Sequence, residues 1–257
     1  MTRFVDTHCH LDQYQDPEQV ALRAARANVA VIAVTGLPSH YSIGSGVVRA
    51  LSGVRLALGL HPLLAPHSTD ELRAFRQLAS STSYIGEVGL DFSRHGRDTR
   101  TSQLESFGVV LDTLGDLARQ GRSRFVTLHS RGAESVVLEK ISRAGVGPVV
   151  FHWYSGPFST IREAAAQGHY FSVNPAMFRS ASGRRIVQRL PADRVLLETD
   201  GPYVQVDGRP AEPGDIAGGV SMLAELLGES SDDAARRVQQ NFRRLLRALH
   251  LTSALNP

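Results

Sequence analysis

The sequence predicts an α/β fold, a (β/α)8 TIM barrel, from two features that run along the chain. Short segments rich in β-branched and aromatic residues alternate with longer segments whose apolar residues recur at helical spacing. The chain has 257 residues, 42% of them apolar, which is enough for one large core of the size common in such barrels. We therefore expect residues 1–257 to form a single barrel domain.

Eight of the short segments are candidate strands. They lie at residues 4–7, 29–34, 54–58, 84–87, 125–128, 149–151, 170–173 and 195–198. Helical spacing predicts helices between them at 17–27, 70–78, 104–118, 134–143 and 183–190, and two more in the tail at 216–227 and 231–249. This alternation, without a low-complexity linker, favours a closed barrel over the alternative of an open doubly wound sheet. The segment 86–89 (GEVG) has the wrong spacing for a dinucleotide-binding fingerprint.

Composition limits the cellular context. Cys9 is the only cysteine, which excludes an internal disulfide framework and fits a reducing compartment. The sequence has neither a basic-then-apolar leader nor an apolar run of the roughly 18–20 residues that a membrane span needs. We expect a cytoplasmic protein with no membrane partner.

The cationic residues are almost all arginine, because Lys140 is the only lysine. A net charge of +3 is too small to predict nucleic-acid binding by itself. Arginine forms bidentate contacts with phosphate, although a compositional bias of the genome explains the same excess. Some binuclear metallohydrolases bridge their two ions with a carboxylated lysine on a barrel strand. Lys140 falls in a predicted helix, so a bridging ligand here should be a carboxylate.

The first strand leads into a pair of candidate metal ligands, His8 and His10. Side chains alternate along a strand, so both imidazoles should point to one side while Cys9 faces the core. Two imidazoles on one face can hold a divalent metal. A surface pair or a hydrogen-bonded core pair would give the same pattern, so the pair alone is a weak signal.

Four further candidate ligands lie at the ends of other strands, and carboxyl ends of parallel barrel strands meet at one mouth, where barrel enzymes have their sites. These four are Glu87, His129, His152 and Asp200. Each one alone could be a structural polar residue. Four histidines and two carboxylates at one mouth suit a divalent cation, and six ligands are enough for two ions.

The segments that carry these residues resemble the TatD family of metal-dependent deoxyribonucleases. The resemblance rests on residues 6–12 (DTHCHLD), 59–62 (GLHP), 85–91 (IGEVGLD), 129–131 (HSR) and 198–203 (ETDGPY). It implies an amidohydrolase-type barrel that hydrolyses DNA phosphodiesters with divalent metal, often from a 3′ end. The family's metal ligands fall on His8, His10, Glu87, His129, His152 and Asp200.

The resemblance also implies a division of roles. His8, His10, Glu87 and Asp200 would hold one ion, and Glu87, which bridges, would hold the second with His129 and His152. The expected cofactors are two divalent ions, Mg, Mn or Zn, and the expected catalytic residues are Asp200 and Glu87. Asp200 would orient the attacking water and take its proton, or act as a ligand only.

Four residues beside these segments are candidate substrate contacts. His61 and Arg131 could bind phosphate, although a turn before Pro62 and a solvated arginine are the simpler readings. Trp153 and Tyr203 could stack on a base or pack the rim of the barrel. We expect His169 and the remaining histidines, His40, His67, His95 and His250, to be ordinary loop or surface residues.

A narrower resemblance is to the TatD-type member (QatD) of the bacterial Qat anti-phage operon. It rests on residues 152–156 (HWYSG), 172–177 (SVNPAM) and 198–203. It implies a role in defence beside partner proteins of the same complex.

Three functions are open at this point. The first is a 3′–5′ exonuclease on single-stranded or frayed DNA, with DNA as its partner. The second is a small-molecule metallohydrolase acting on an amide, lactone or phosphoester, and the third is a metal-binding assembly subunit of a defence complex. A narrow pocket would favour the second, whereas an intact ligand set argues against the third.

Overall fold

Eight parallel strands pair in sequence order, which confirms the predicted (β/α)8 barrel. The computed structural model describes residues 4–48, 51–64 and 69–251. The barrel strands are β1 (Phe4–Cys9), β2 (Val29–Val34), β3 (Val54–Leu60), β4 (Tyr84–Gly89), β5 (Phe125–His129), β6 (Val150–Phe151), β7 (Tyr170–Val173) and β8 (Val195–Leu197). Every predicted strand is present, and β1, β3 and β4 extend two residues further than the apolar patterns indicated.

The first and last strands meet at a seam that is closed by both side chains and backbone. The Thr7 hydroxyl donates to Leu197 O at 2.9 Å, and the buried Asp6 carboxylate accepts from the backbone N–H and the hydroxyl of Thr199. Beyond the strands, Asp200 N–H donates to His8 O at 3.0 Å. Burial raises the pKa of Asp6 to about 7, although the bonds from Thr199 oppose the shift. These bonds join the first and last barrel strands next to the mouth.

Ten helices are assigned in the described residues, and most alternate with the strands. They are α1 (Pro17–Arg26), α2 (Pro38–Val48), α3 (Thr69–Leu78), α4 (Arg100–Arg119), α5 (Glu134–Ala144), α6 (Phe158–Ala166), α7 (Pro175–Arg179), α8 (Ala181–Val187), α9 (Ile216–Leu227) and α10 (Ser231–Ala248). A small hairpin, β9 (Gln205–Val206) and β10 (Arg209–Pro210), follows β8. None of the helices within the described ranges is long and apolar enough to span a bilayer.

Local sequence explains where several helices begin and end. The Asp16 carboxylate accepts from Gln19 N–H ahead of Pro17, a strong start signal for α1. Gly145 ends α5 with a φ of 66°, a conformation that glycine adopts without strain. Helix α2 was not predicted, because its segment, rich in serine and glycine, has little helical periodicity.

Helix α10 closes the amino-terminal end of the barrel, opposite the mouth. Phe242, Leu245 and Leu249 pack in one buried cluster with residues such as Tyr84 and Phe125, which begin β4 and β5. Ser230 caps the helix by accepting from Asp233 N–H. The predicted tail helix therefore forms part of the core.

His169 lies in the loop between α6 and β7, but it is not at the surface, because only 3% of it is exposed. Its Nδ1 accepts from Val149 N–H at 3.3 Å, at the start of β7 and far from the mouth. Burial lowers the pKa of His169 to about 4. His95 and His250 are exposed as expected, His40 lies at the mouth, and His67 falls outside the described residues.

The neutral, buried His169 should make stability depend on pH. Its pKa is about 4 in the folded state and about 6.5 when unfolded, so between these values the unfolded chain binds more protons. Stability should therefore be lost as the pH falls from 6.5 to 4, by roughly 3 kcal/mol from this residue. His169→Asn retains an acceptor near Nδ1 and should abolish this part of the loss. Parallel urea titrations of both proteins across this range would test it, and identical slopes would contradict it.

Because α10 closes the amino-terminal end of the barrel, we expect a large loss of stability in Leu245→Ala. The side chain is fully buried, so its truncation leaves a cavity and should cost about 2–5 kcal/mol. Arg247→Ala on the exposed face of the same helix should change stability by no more than about 0.5 kcal/mol. Urea unfolding measures both, and equal effects would mean that α10 does not close the core.

Candidate metal centre

A cavity of about 690 Å³ opens at the carboxyl ends of the strands. Five of the six predicted metal ligands line it, and His8 lies buried directly beneath. All four predicted substrate contacts, His61, Arg131, Trp153 and Tyr203, also line it. The residues selected from strand ends therefore converge at one place, as the barrel topology requires.

Glu87 lies at the centre of this cluster. It projects from β4 between Gly86 and Gly89, and it is 2% exposed. A side chain at Gly89 would place its Cβ 1.9 Å from His129 O, so only glycine lets β4 approach β5 this closely. This approach puts Glu87 beside the end of β5, with His129 Nδ1 at 2.6 Å from Glu87 Oε1.

One oxygen of Glu87 faces the seam between β1 and β8. Glu87 Oε2 is 3.6 Å from His8 Nε2 and 3.5 Å from His10 Nε2. Asp200 Oδ1 is also close to the two rings, 3.9 Å from His8 Nε2 and 3.5 Å from His10 Nε2. His8, His10 and Asp200 each offer one atom within 4.8 Å of the others, which is close enough to hold a metal ion together.

The other oxygen of Glu87 faces β5 and β6. Glu87 Oε1 is 2.6 Å from His129 Nδ1 and 3.8 Å from His152 Nε2. His61 adds a fifth imidazole, its Nε2 3.7 Å from Glu87 Oε2. Glu87 Oε2 thus lies near His8, His10 and His61, and Oε1 lies near His129 and His152.

Each of three candidate ligands has its remote ring nitrogen held by a further polar side chain. His8 Nδ1 is 2.8 Å from the Thr127 hydroxyl, and His129 Nε2 is 2.9 Å from Asp91 Oδ2. Such partners fix the tautomer and the orientation of metal-binding histidines.

The third such contact joins His152 to Glu198. His152 Nδ1 lies 2.9 Å from Glu198 Oε1, an ion-pair distance with poor direction for a hydrogen bond. Glu198 is itself held by the Ser172 hydroxyl and by Asn174 Nδ2. Sequence reasoning did not assign a role to Asp91, Thr127 or Glu198. Asp91 and Glu198 lie inside quoted motifs, so their carboxylates were the available signal.

The donor set fits a divalent cation. With Nδ1–H of His8 donating to Thr127, the lone pair on Nε2 points toward His10 Nε2, only 3.4 Å away. Asp200 Oδ1 is buried beside both rings without a hydrogen-bond partner in the described structure. Buried acceptors of this kind are costly unless a positive charge lies between them. A divalent metal bound by histidine nitrogen and carboxylate oxygen supplies that charge.

The charges in the cluster shift one another's pKa. Burial acts to lower the pKa of His129, but Glu87 and Asp91 outweigh it and raise the pKa to about 9. Burial also acts to lower the pKa of His152, and Glu198 contributes most to raising it to about 10. Burial would raise the pKa of Glu87, yet the surrounding histidines hold it well below its usual range. The carboxylates therefore stay ionised, and metal binding must displace protons from the imidazoles.

Two residues at the mouth have left-handed backbone conformations. Trp153 has a φ of 38° and Asp200 a φ of 50°, although neither is glycine. Trp153 directly follows the candidate ligand His152, and Asp200 is itself a candidate ligand. Both lie where the chain turns out of the barrel. Strained conformations of this kind are typical of functional sites, where the surrounding fold holds them in place.

The rim of the cavity combines aromatic and basic side chains. Tyr203 is 60% exposed with its ring 4.8 Å from that of His10, and Trp153 is 39% exposed. Arg131 is exposed at the opening. Burial lowers the pKa of His61 to about 4, so this ring is neutral at pH 7. Sequence reasoning missed His40, which also lines the cavity.

A buried cluster of imidazole and carboxylate ligands at the mouth of a (β/α)8 barrel defines a metal-dependent hydrolase. The comparison with known proteins narrows this class. The profile of the TatD related DNase family matches residues 5–247, and the chain belongs to this family. The sequence therefore correctly predicted the family and an enzyme that acts on ester bonds.

Similar proteins cover nearly the whole chain. The human protein named deoxyribonuclease TATDN3 is 28% identical over 94% of this chain and 93% of its own length. The Escherichia coli protein YjjV, named a metal-dependent hydrolase, is 29% identical over 93% of this chain and 96% of its own. The crystal structure of YjjV, a TatD homologue, has a TM-score of 0.83 at 26% identity, over 95% of this chain and 97% of that one.

The contact between Asp91 and His129 predicts a loss of metal affinity in Asp91→Ala. Without Asp91, His129 loses the partner that fixes its ring, and affinity for Zn or Mn should fall about 10–100-fold. Asp98→Ala removes an exposed carboxylate from the same loop and should leave affinity unchanged. Metal titration by calorimetry would measure both, and equal affinities in the two variants would remove Asp91 from the centre.

Proposed function

We propose that the protein hydrolyses phosphodiester bonds of DNA, as a 3′–5′ exonuclease on single-stranded or frayed ends. The observation that carries this proposal is the position of Glu87, whose oxygens lie 3.6 Å from His8 Nε2 and 2.6 Å from His129 Nδ1. Two divalent ions, Mg, Mn or Zn, would be held at this position, and Glu87 would contribute to holding both. Family membership and the names of the relatives support DNA as the substrate.

We divide the ligands between the ions as the family resemblance implies. His8, His10 and Asp200, with Glu87 Oε2, would hold the first ion. His129 and His152, with Glu87 Oε1, would hold the second. Asp91, Thr127 and Glu198 keep three of these rings in the orientation that directs the other nitrogen toward the ion.

The residues at the centre account for the hydrolysis of a phosphodiester. When bound, the ions neutralise charge that develops on the phosphate and increase the acidity of water. The Asp200 carboxylate, which is buried at the mouth, would orient the attacking water and accept its proton. The water oxygen forms a new bond to phosphorus, the bond to the leaving oxygen breaks, and that oxygen takes up a proton.

The rim accounts for binding of a strand end. Arg131 pairs with a phosphate oxygen, and neutral His61 donates a hydrogen bond to another. Trp153 and Tyr203 offer exposed rings on which an unpaired base stacks. A cavity of about 690 Å³ is of the size that binds a small molecule, so it suits a terminal nucleotide better than a duplex.

The cavity size also favours a second candidate, a hydrolase of small phosphoesters, amides or lactones. The same centre would act on such a substrate without the rim residues. A defence role beside Qat partner proteins, and a cytoplasmic location, stay predictions from the sequence.

The proposal predicts that purified protein with Mg or Mn shortens end-labelled single-stranded DNA stepwise. Asp200→Asn should lower the rate at least about 100-fold, because it removes the proton acceptor and a ligand. Asp12→Asn, which changes an exposed carboxylate near the mouth, should retain activity. A gel of the products shows which end is attacked. No shortening by metal-loaded protein would reject DNA hydrolysis and favour the small-molecule candidate.

The two-ion arrangement makes a separate prediction. The double substitution of His129→Ala and His152→Ala should remove one ion and abolish hydrolysis while the barrel still folds. The matched substitution of the exposed His95 and His250 by alanine should change neither property. Metal analysis, circular dichroism and the same assay measure the three quantities. Unchanged turnover in the first double variant would rule out the two-ion mechanism.

A further inference from the structure

An exposed arginine surface lies on the connection between β7 and β8. It consists of Arg179 at the end of α7, Arg184 and Arg185 in α8, and Arg189 just after α8, all exposed to solvent. Between residues 164 and 192 the chain contains these four arginines and no aspartate or glutamate. This segment therefore carries a local positive charge that exceeds the net charge of the whole protein.

The four arginines of this surface lack the acidic partners that several arginines on other helices have. Arg143 pairs with Glu139 in α5, for example, and Arg237 pairs with Glu229 before α10. None of the four arginines makes an ion pair with a residue that the structure describes. Their charge is thus available to a ligand, and no local partner limits it.

The arginine surface is connected to the mouth through α7. Helix α7 begins at Asn174, whose side chain donates to the Glu198 carboxylate at 3.1 Å beneath the centre. The same helix contacts β9, which starts two residues after Tyr203 on the rim. Helix α7 therefore lies beside the segment that follows Tyr203 on the rim.

The other flank of the surface carries an aromatic ring. The Arg189 guanidinium carbon lies 5.4 Å from the ring centre of Phe158, which is 40% exposed. Phe158 begins α6, five residues after Trp153 on the rim. Unpaired guanidinium groups beside exposed aromatic rings form the combination that binds single-stranded nucleic acid.

We propose that the arginine surface binds the backbone phosphates of the same nucleic-acid strand whose end occupies the cavity. This inference rests on the proposed function, and it extends the binding site beyond the terminal nucleotide. Each arginine pairs with a phosphate and releases counterions, so the contribution should depend on strand length and on salt. A dinucleotide fills the cavity without reaching the surface and should not respond to it.

The test compares two double variants with the same change of charge. Arg184→Gln with Arg185→Gln alters the proposed surface, and Arg243→Gln with Arg247→Gln alters the exposed face of α10 at the opposite end of the barrel. Metal-loaded proteins are assayed on a dinucleotide and on a single strand of about 30 nucleotides. Binding is measured separately with the long strand carrying phosphorothioate linkages that resist hydrolysis.

The expected result is a defect confined to the long strand. For the first variant, KM and the dissociation constant should rise about tenfold, with kcat and dinucleotide turnover unchanged. The slope of log affinity against log salt should weaken by about 1.4, because each lost phosphate contact on a single strand contributes about 0.7. The α10 variant should match the wild type on both substrates.

The inference would be overturned if the two variants bound the long strand with equal affinity, whether that affinity matched the wild type or fell below it. The proposed function has a separate criterion, which is hydrolysis of either substrate by the wild type. If the wild type hydrolyses neither, the proposed function fails, while the binding comparison still decides whether the arginine surface holds a strand.

Discussion

The centre depends on a single buried carboxylate, because Glu87 contacts more of the imidazoles at the mouth than any other described residue. Five imidazoles have a ring nitrogen within 3.8 Å of its two oxygens. An ionised carboxylate buried this deeply is unstable without positive charge around it, and imidazoles without a cation between them repel one another once protonated. The surrounding barrel therefore has to hold mutually dependent charges at fixed positions. Removing any one of these charged groups leaves the others without a compensating charge.

The fold meets this constraint with rigid strand ends and a second layer of polar contacts. Glycines in β4 let it approach β5, which sets the distance between Glu87 and His129. Asp91, Thr127 and Glu198 then fix the rings from behind, and Glu198 is tied through Asn174 to the start of α7. The contacts that orient the ligands are thus continuous with the helix that leads to the arginine surface. The same polar network positions the candidate metal ligands and the start of the helix that leads to the arginine surface.

Much of the barrel could be predicted from the sequence, since buried parallel strands are short apolar runs that a polar residue ends. His8, Glu87 and Asp200 were found in this way, because barrel closure brings strand ends together whatever their separation in sequence. Contacts across the barrel have no such local signal. The pairing of Asp91 with His129 joins residues 38 positions apart, and the carboxylate of Asp91 does not by itself indicate which residue it contacts. The burial of His169 was missed for a related reason, because the N–H that its Nδ1 accepts from belongs to Val149, twenty residues earlier.

The seam between β1 and β8 determines when, during synthesis of the chain, the set of candidate metal ligands can be completed. His8 and His10 are made long before Asp200, Thr199 and Leu197, because the seam joins residues as far apart in sequence as Thr7 and Leu197, which are separated by 190 positions. Until then β1 can pair with β2 only, and the two histidines have no Asp200 carboxylate beside them. A truncated product that stops before residue 197 lacks both the seam and a ligand. A fragment released from the ribosome before residue 197 would therefore lack the complete set of candidate metal ligands.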